Sequence, residues 1–149
     1  NDGVQNGIGT GYYDDGQIEY QGEWKEGLMC GNGFLYHRKT GHLAYEGRFK
    51  EGLPDGYGTA HHRESGSKLY EGHFKEGEQH GNGTGYFEDG QIGYQGEWKD
   101  GVSDGYGTWY HRGTGNIAYT GNFKKGQRDG TGVEYYDSGD GQIKYQGEG

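Results

Sequence analysis

The chain has 149 residues, of which 36 are glycine and one is proline, and its net charge is −9 with histidine neutral. Its acidic residues are spread along the chain and no basic run occurs, which disfavours electrostatic binding to nucleic acid or to anionic lipid. Cys30 is the single cysteine and no apolar stretch approaches the roughly 20 residues that span a bilayer, so neither an internal disulfide nor a transmembrane helix is predicted.

The chain repeats one stretch, which first appears in full as YQGEWKEGLMCGNG at residues 20–33. The stretch returns at 45–58, 70–83, 94–107 and 119–132; a sixth copy begins at Tyr145, and residues 3–9 look like the end of an earlier one. The starting tyrosines lie 24 to 26 residues apart, a period typical of repeat proteins whose units gain a core by stacking on their neighbours. We therefore predict one array over residues 1–149, with five full units and partial units at both ends.

The first half of each unit alternates apolar and polar residues. In the first full unit Ile18, Tyr20, Gly22 and Trp24 share one parity, and the residues between them are polar. This period of two predicts a half-buried β-strand and does not fit a helix.

A short polar loop from Lys25 to Cys30 then predicts a hairpin, with the second strand from about residue 31 to 36. A symmetric loop would place Trp24 opposite Gly31 and Gly22 opposite Gly33. Three glycines per hairpin would then form a floor without Cβ atoms beneath the aromatic rings.

Rings also mark the end of each second strand, in two neighbouring columns. The first contains Tyr36, His61, Tyr86, Tyr110 and Tyr135, and the second contains His37, His62, Phe87, His111 and Tyr136. The loops that follow vary in length: they are tight at 14–16 and 88–90, one residue longer at 38–41 and 112–115, and two longer at 137–141. Variation confined to one loop is what a stacked array tolerates.

The repeated skeleton Y-x-G-x-[W/F]-x3-G-x3-G-x-G resembles the MORN (membrane occupation and recognition nexus) repeat. The segments YYDDGQIEYQGEW at 12–24 and YFEDGQIGYQGEW at 86–98 look like the bacterial variant found in YwqK-type proteins. The resemblance implies an all-β fold, an elongated single-layer antiparallel sheet of stacked β-hairpins that forms an open, solenoid-like array. It also implies a scaffold that self-associates, binds partner proteins or contacts phosphoinositide membranes. Units here are slightly longer than the common repeat, and the acidic charge weakens the lipid interpretation.

Catalytic and metal-binding motifs are not evident. The glycines recur in every unit, so they indicate structure rather than a phosphate-binding loop. His37, His62 and His111 share a column that Phe87 interrupts, which favours stacking or surface roles over a zinc site. None of the four serines lies in a nucleophile motif. Cys30 takes a place held by aspartate or histidine in the other units, which indicates a neutral surface substitution. We expect no enzyme activity, no cofactor and no metal.

Two ladders of rings along the array are the one candidate binding surface. These rings are Tyr20, Trp24, Tyr45, Phe49, Tyr70, Phe74, Tyr94, Trp98, Tyr119 and Phe123. They either fill the core of a single-layer sheet or remain partly open as a stacking platform.

The expected function is a non-enzymatic scaffold that binds a protein or assembles with itself as a homo-oligomer or filament. Glycan or cell-wall binding through the ladder and phosphoinositide binding remain alternatives. Nucleic acid is not expected as a partner, and membrane binding is disfavoured by charge. The sequence does not fix the compartment; a cytoplasmic location is slightly favoured, and an extracellular location or a surface fibre are the alternatives.

Overall fold

The computed structural model describes residues 6–137 and 142–148, and these contain strands and turns but no helix, hence none that could span a membrane. The chain divides into two compact units, residues 1–78 and 79–149. The prediction of an all-β array of antiparallel hairpin repeats is confirmed. The predicted partial copy at 3–9 and the loop at 137–141 lie partly outside the described residues, and the continuity of one array over 1–149 stays a prediction.

Among the described residues the first unit contains six strands, and its consecutive strands pair antiparallel from the first to the sixth. They are β1 (Gly7–Tyr12), β2 (Ile18–Lys25), β3 (Leu28–Tyr36), β4 (Leu43–Lys50), β5 (Leu53–His61) and β6 (Lys68–Lys75).

The second unit repeats the same pattern, with consecutive strands again antiparallel neighbours. Its strands are β7 (Glu78–Tyr86), β8 (Ile92–Lys99), β9 (Val102–Tyr110), β10 (Ile117–Lys124), β11 (Gln127–Tyr135) and β12 (Ile143–Glu148).

The loop inside each hairpin is shorter than predicted. Glu26 and Gly27 both have positive φ, 51° and 81°, as in the two-residue turns that suit the twist of paired strands. The second strand therefore begins at Leu28 rather than at residue 31. Four of the five full units place Glu or Asp followed by Gly in this turn, and the fifth places Lys125 there.

The predicted register is right at the centre of the hairpin and wrong near the turn. Gly22 pairs with Gly33 as expected, but a bulge follows, so Trp24 pairs with Met29 and not with Gly31. Gly31 has φ +59°, the left-handed conformation that the bulge requires, and a Cβ there would lie 2.6 Å from the Glu23 carboxylate. Gly31 therefore serves the bulge, and the floor beneath the rings consists of two glycines per hairpin rather than three.

The paired glycines allow the tyrosine rings to lie flat on the sheet. A Cβ on Gly33 would overlap the ring and hydroxyl of Tyr20, and a Cβ on Gly22 would lie 2.6 Å from the Gly33 Cα. The same arrangement recurs where Tyr45 covers Gly58 and where Tyr94 covers Gly107.

Candidate interaction surfaces

Within each of the two units, the predicted binding residues lie on one face of the paired strands, which we call the ladder face. Each tyrosine contacts the ring four residues ahead and, where both lie in one unit, the ring of the next repeat. Tyr45, for example, meets Phe49 and Phe74 edge to face with centroids 5.0 and 4.9 Å apart. Such pairs contribute about 0.5–1.5 kcal/mol each beyond the area that they bury.

The ladder forms the core of both units. Eight of its rings expose 8% of their surface or less: Tyr20, Tyr45, Phe49, Tyr70, Phe74, Tyr94, Tyr119 and Phe123. Rings buried to this extent have no free face for a ligand. These eight rings therefore fill the core of the sheet and do not form an open stacking platform. Trp24 and Trp98 are half-buried, and their indole N–H groups donate to the carbonyls of Gly9 and Gly83 at 3.1 and 3.0 Å. Ligand binding by the ladder stays a prediction.

The tyrosine hydroxyls are buried together with their rings. The Tyr45 hydroxyl donates to the Arg48 carbonyl at 2.9 Å, and the Tyr94 hydroxyl donates to the Glu97 carbonyl at the same distance. Burial raises the pKa of Tyr20, Tyr45 and Tyr94 to about 12, because the phenolate would lose its hydration. These hydroxyls are therefore structural donors rather than acid–base groups for a reaction near neutral pH.

The predicted histidine column also has structural roles. The Nε2–H groups of His37 and His111 donate to the carbonyls of His61 and Tyr135 at 3.1 and 3.2 Å, which joins each loop to the next repeat. The Tyr13 hydroxyl donates to the Tyr36 carbonyl in the same way at 2.6 Å. Within the described residues no three His, Cys, Asp or Glu side chains are grouped to hold a metal ion.

The column that contains Cys30 is more than a polar surface position. Asp55 accepts from the Glu76 amide at 3.1 Å, and Asp104 accepts from the Lys125 amide at 3.2 Å. Each carboxylate thus satisfies the turn of the following hairpin. The cysteine is half-buried, and its carbonyl accepts from the Tyr20 hydroxyl at 3.3 Å. This link between repeats is not visible in the sequence, because the bonded residues lie 21 positions apart.

The opposite side of the strands in each unit, which we call the second face, includes aromatic residues at positions that differ between repeats. In the first unit Phe34 and Tyr57 expose 45% and 54% of their surface, and in the second unit Tyr106 exposes 56%. Phe34 and Tyr57 border a groove of about 590 Å³ in the first unit. Other side chains that line the groove are Gln21, Asn32, Glu46, Arg48, Thr59 and Glu71. Phe34 and Tyr57 were not predicted as site residues from the sequence, because they lie outside the repeated skeleton.

A second surface surrounds Trp109 on the ladder face of the second unit. The indole is 43% exposed and separates two clefts of about 460 and 410 Å³. Arg128 lines both clefts, forms an ion pair with Glu134 at 3.2 Å and lies over the Tyr119 ring. Both clefts combine aromatic rings with hydrogen-bonding side chains, an arrangement suited to binding a ligand.

Together these features define a class of protein: a β-hairpin repeat protein whose regular residues build the core and whose irregular residues are exposed. A scan against protein families matches the MORN repeat at residues 20–39, 45–62, 70–92, 94–114 and 119–141. These matches cover well over half of the chain, which therefore belongs to the MORN repeat family. MORN repeats are generally interaction or scaffold modules rather than catalytic domains. A search of curated proteins found no match.

Proposed function

We propose that the chain is a non-enzymatic scaffold that binds a protein partner through its second face. This proposal rests on one observation: the repeated residues build the core, whereas residues at variable positions are exposed on the opposite face. The tyrosines and phenylalanines of the ladder, which recur in the full units, are buried, and the paired glycines beneath them leave no room for side chains. The positions that differ, such as Phe34 and Tyr57, are exposed on the other face.

The composition of the second face supports a protein contact. Phe34 pairs with Glu46 in the register of β3 and β4, and Tyr57 lies two residues from Thr59, which pairs with the same Glu46. Arg48 lines the groove with both rings. Exposed aromatic residues and arginine are the types most enriched at the centres of protein interfaces, and carboxylates suit the rim.

Site-specific cross-linking tests this proposal directly. A photoreactive phenylalanine analogue is placed at Phe34 in the native cells, and the matched control carries it at Ile18, which is 38% exposed and shares the ladder face with Tyr20. We expect one defined protein adduct from position 34 and none from position 18. That adduct is either a different protein or a second copy of this chain, which would support self-assembly. Equal, diffuse labelling from both positions would contradict the proposal.

The two alternative functions rest on less suitable surfaces. Glycan binding by the ladder as a whole requires open ring faces, and eight of the ten rings are buried. Phosphoinositide binding would use the exposed lysines that end each first strand, such as Lys25 and Lys50. The turn residues Glu26 and Glu51 follow these lysines and oppose their charge. We also propose that the repeats are of the YwqK-type variant within the family, which the segments 12–24 and 86–98 support.

A further inference from the structure

Trp109 breaks a regular pattern on the ladder face. It lies in β9, in register with Tyr94 on one side and with Tyr119 on the other. The equivalent positions in the first unit, each in register with two ladder tyrosines, hold Leu35 and Ala60. The core therefore requires only a small or medium side chain here. An indole that leaves 43% of its surface exposed is not explained by packing.

The exposed indole stands between two open clefts. The cleft of about 460 Å³ is lined by Ser103, Gln127 and Arg128 beside ladder rings. The cleft of about 410 Å³, on the other side, is lined by His111, Glu134 and again Arg128. Their lining is a mixture of flat rings and hydrogen-bonding groups, which is typical of sites that orient a small ligand.

Positive charge is concentrated around this tryptophan although the chain carries −9 overall. Arg128 and Lys144 lie 3.2 and 3.5 Å from the two oxygens of Glu134, and both cations are at least 40% exposed. The Arg112 guanidinium lies 4.0 Å from the centre of the Phe87 ring and lines the same cleft. Three cations and one carboxylate therefore line this cleft, which leaves a local excess of positive charge that suits an anionic ligand.

We propose that the Trp109 site binds an acidic oligosaccharide built of carboxylated pyranose rings. The apolar C–H face of a pyranose stacks on the negative face of an indole, and a carboxylate accepts two parallel bonds from an arginine fork such as that of Arg128. Ser103 and Gln127 offer hydrogen bonds to sugar hydroxyls. Two clefts on either side of one platform accommodate consecutive rings of a chain. This site lies on the ladder face, so it does not depend on a protein contact at the second face.

Titration calorimetry of the full chain with a hexamer of galacturonic acid tests the proposal. The fully methyl-esterified hexamer keeps the rings and removes the charge. We expect the acid to bind with quenching or a blue shift of tryptophan fluorescence, and the ester to bind about tenfold more weakly, as the loss of a charge-assisted hydrogen bond implies. Equal affinity for acid and ester, or no binding of the acid, would overturn the proposal.

Variants assign the binding to the site. Trp109→Leu keeps a residue that this position holds elsewhere in the array, and Arg128→Gln removes one cation; we expect each to weaken binding about tenfold. Glu134→Gln releases both of its cations and is expected to strengthen binding. Tyr106→Ala, on the second face with a ring that is 56% exposed against 43% for Trp109, is the matched control and is expected to leave binding unchanged. Loss in Tyr106→Ala with retention in Arg128→Gln would refute the assignment. Should Trp109→Leu unfold, the Arg128→Gln result and the ester comparison decide the question.

Two other anionic probes separate the ligand class from charge alone. We expect neither hexaglutamate nor vesicles that contain phosphatidylserine to bind at about 0.15 M salt, because the net charge opposes polyanions that do not stack on the indole. Hexaglutamate binding as tight as that of the hexasaccharide would overturn the saccharide assignment. Vesicle binding that Trp109→Leu abolishes would replace the sugar with a lipid surface.

Discussion

Replacing Gly47 with alanine should destabilise the protein far more than the same replacement at its neighbour Glu46. The new Cβ on Gly47 would lie 2.5 Å from the Gly58 Cα, 2.6 Å from the Tyr57 carbonyl oxygen and 2.9 Å from the Tyr45 hydroxyl. Two of these three atoms belong to the backbone of the paired strand, so relief requires β4 and β5 to separate. The backbone at Gly47 also has φ +148°, which side chains of L-residues rarely adopt.

The expected magnitude follows from these two costs. Overpacking of this kind costs about 1–3 kcal/mol, and a positive φ that side chains rarely adopt adds at least about 1 kcal/mol. We expect Gly47→Ala to lower the free energy of unfolding by about 2–4 kcal/mol, which at a typical slope shifts the urea midpoint by about 1–2 M. Glu46 is half-buried on the second face, so Glu46→Ala should cost no more than about 1 kcal/mol.

Urea unfolding followed by circular dichroism and by tryptophan fluorescence measures both variants. Both probes are needed, because repeat arrays can depart from two-state unfolding. Equal urea midpoints for Gly47→Ala and Glu46→Ala would refute the conclusion that the paired glycines lie directly beneath the ladder rings.

Three further predictions concern the rings and the turns. Because burial raises the pKa of Tyr20, Tyr45 and Tyr94 from 10.0 to about 12, their contribution to stability is fully present below pH 10 and is lost as the pH rises through 12. The urea midpoint should therefore fall between pH 10 and 12, and a constant midpoint across that window would contradict buried hydroxyls. Tyr45→Phe removes the bond to the Arg48 carbonyl and should cost about 1 kcal/mol, whereas Tyr57→Phe, on an exposed ring, should leave thermal unfolding unchanged. Gly31→Ala should cost more than Gly16→Ala, because both positions have positive φ but only the first has neighbours within 4 Å of a new Cβ; equal melting temperatures would argue against the bulge.

The sequence predicted the fold well because the interactions that build it are local and repeated. Alternation around Tyr20 and Gly22 in every unit identifies the strands and the buried face, and the Gly22–Gly33 pairing follows from hairpin symmetry. The bulge at Gly31 escaped prediction, since a left-handed glycine inside a strand looks the same in sequence as a glycine that makes room for a ring. The pattern placed the turn only to within a few residues, because Lys25 to Cys30 contains several polar residues of turn type.

The candidate sites were harder to predict than the core. A repeat pattern highlights what recurs, and what recurs here is buried; Phe34, Tyr57 and Trp109 stand out only by departing from the pattern. The exposure of each side chain depends on the face of the sheet that it occupies and on the residues paired with it on the adjacent strands. The charge around Trp109 combines Arg112, Arg128 and Lys144 from different strands and loops, which the sequence separates by up to 32 positions. Such a cluster becomes visible when the register is known.

The central claim is that the ladder face is the core while the second face makes the protein contact. Calorimetric titration of the protein identified by cross-linking at position 34, or of the chain with itself, tests it most directly. We predict that Phe34→Ala combined with Tyr57→Ala weakens binding by about 2 kcal/mol or more, the scale of an interface hot spot. Trp109→Leu, on the ladder face, should bind the partner as tightly as the unmodified chain. Undiminished binding by the double variant, with loss in Trp109→Leu, would contradict the account.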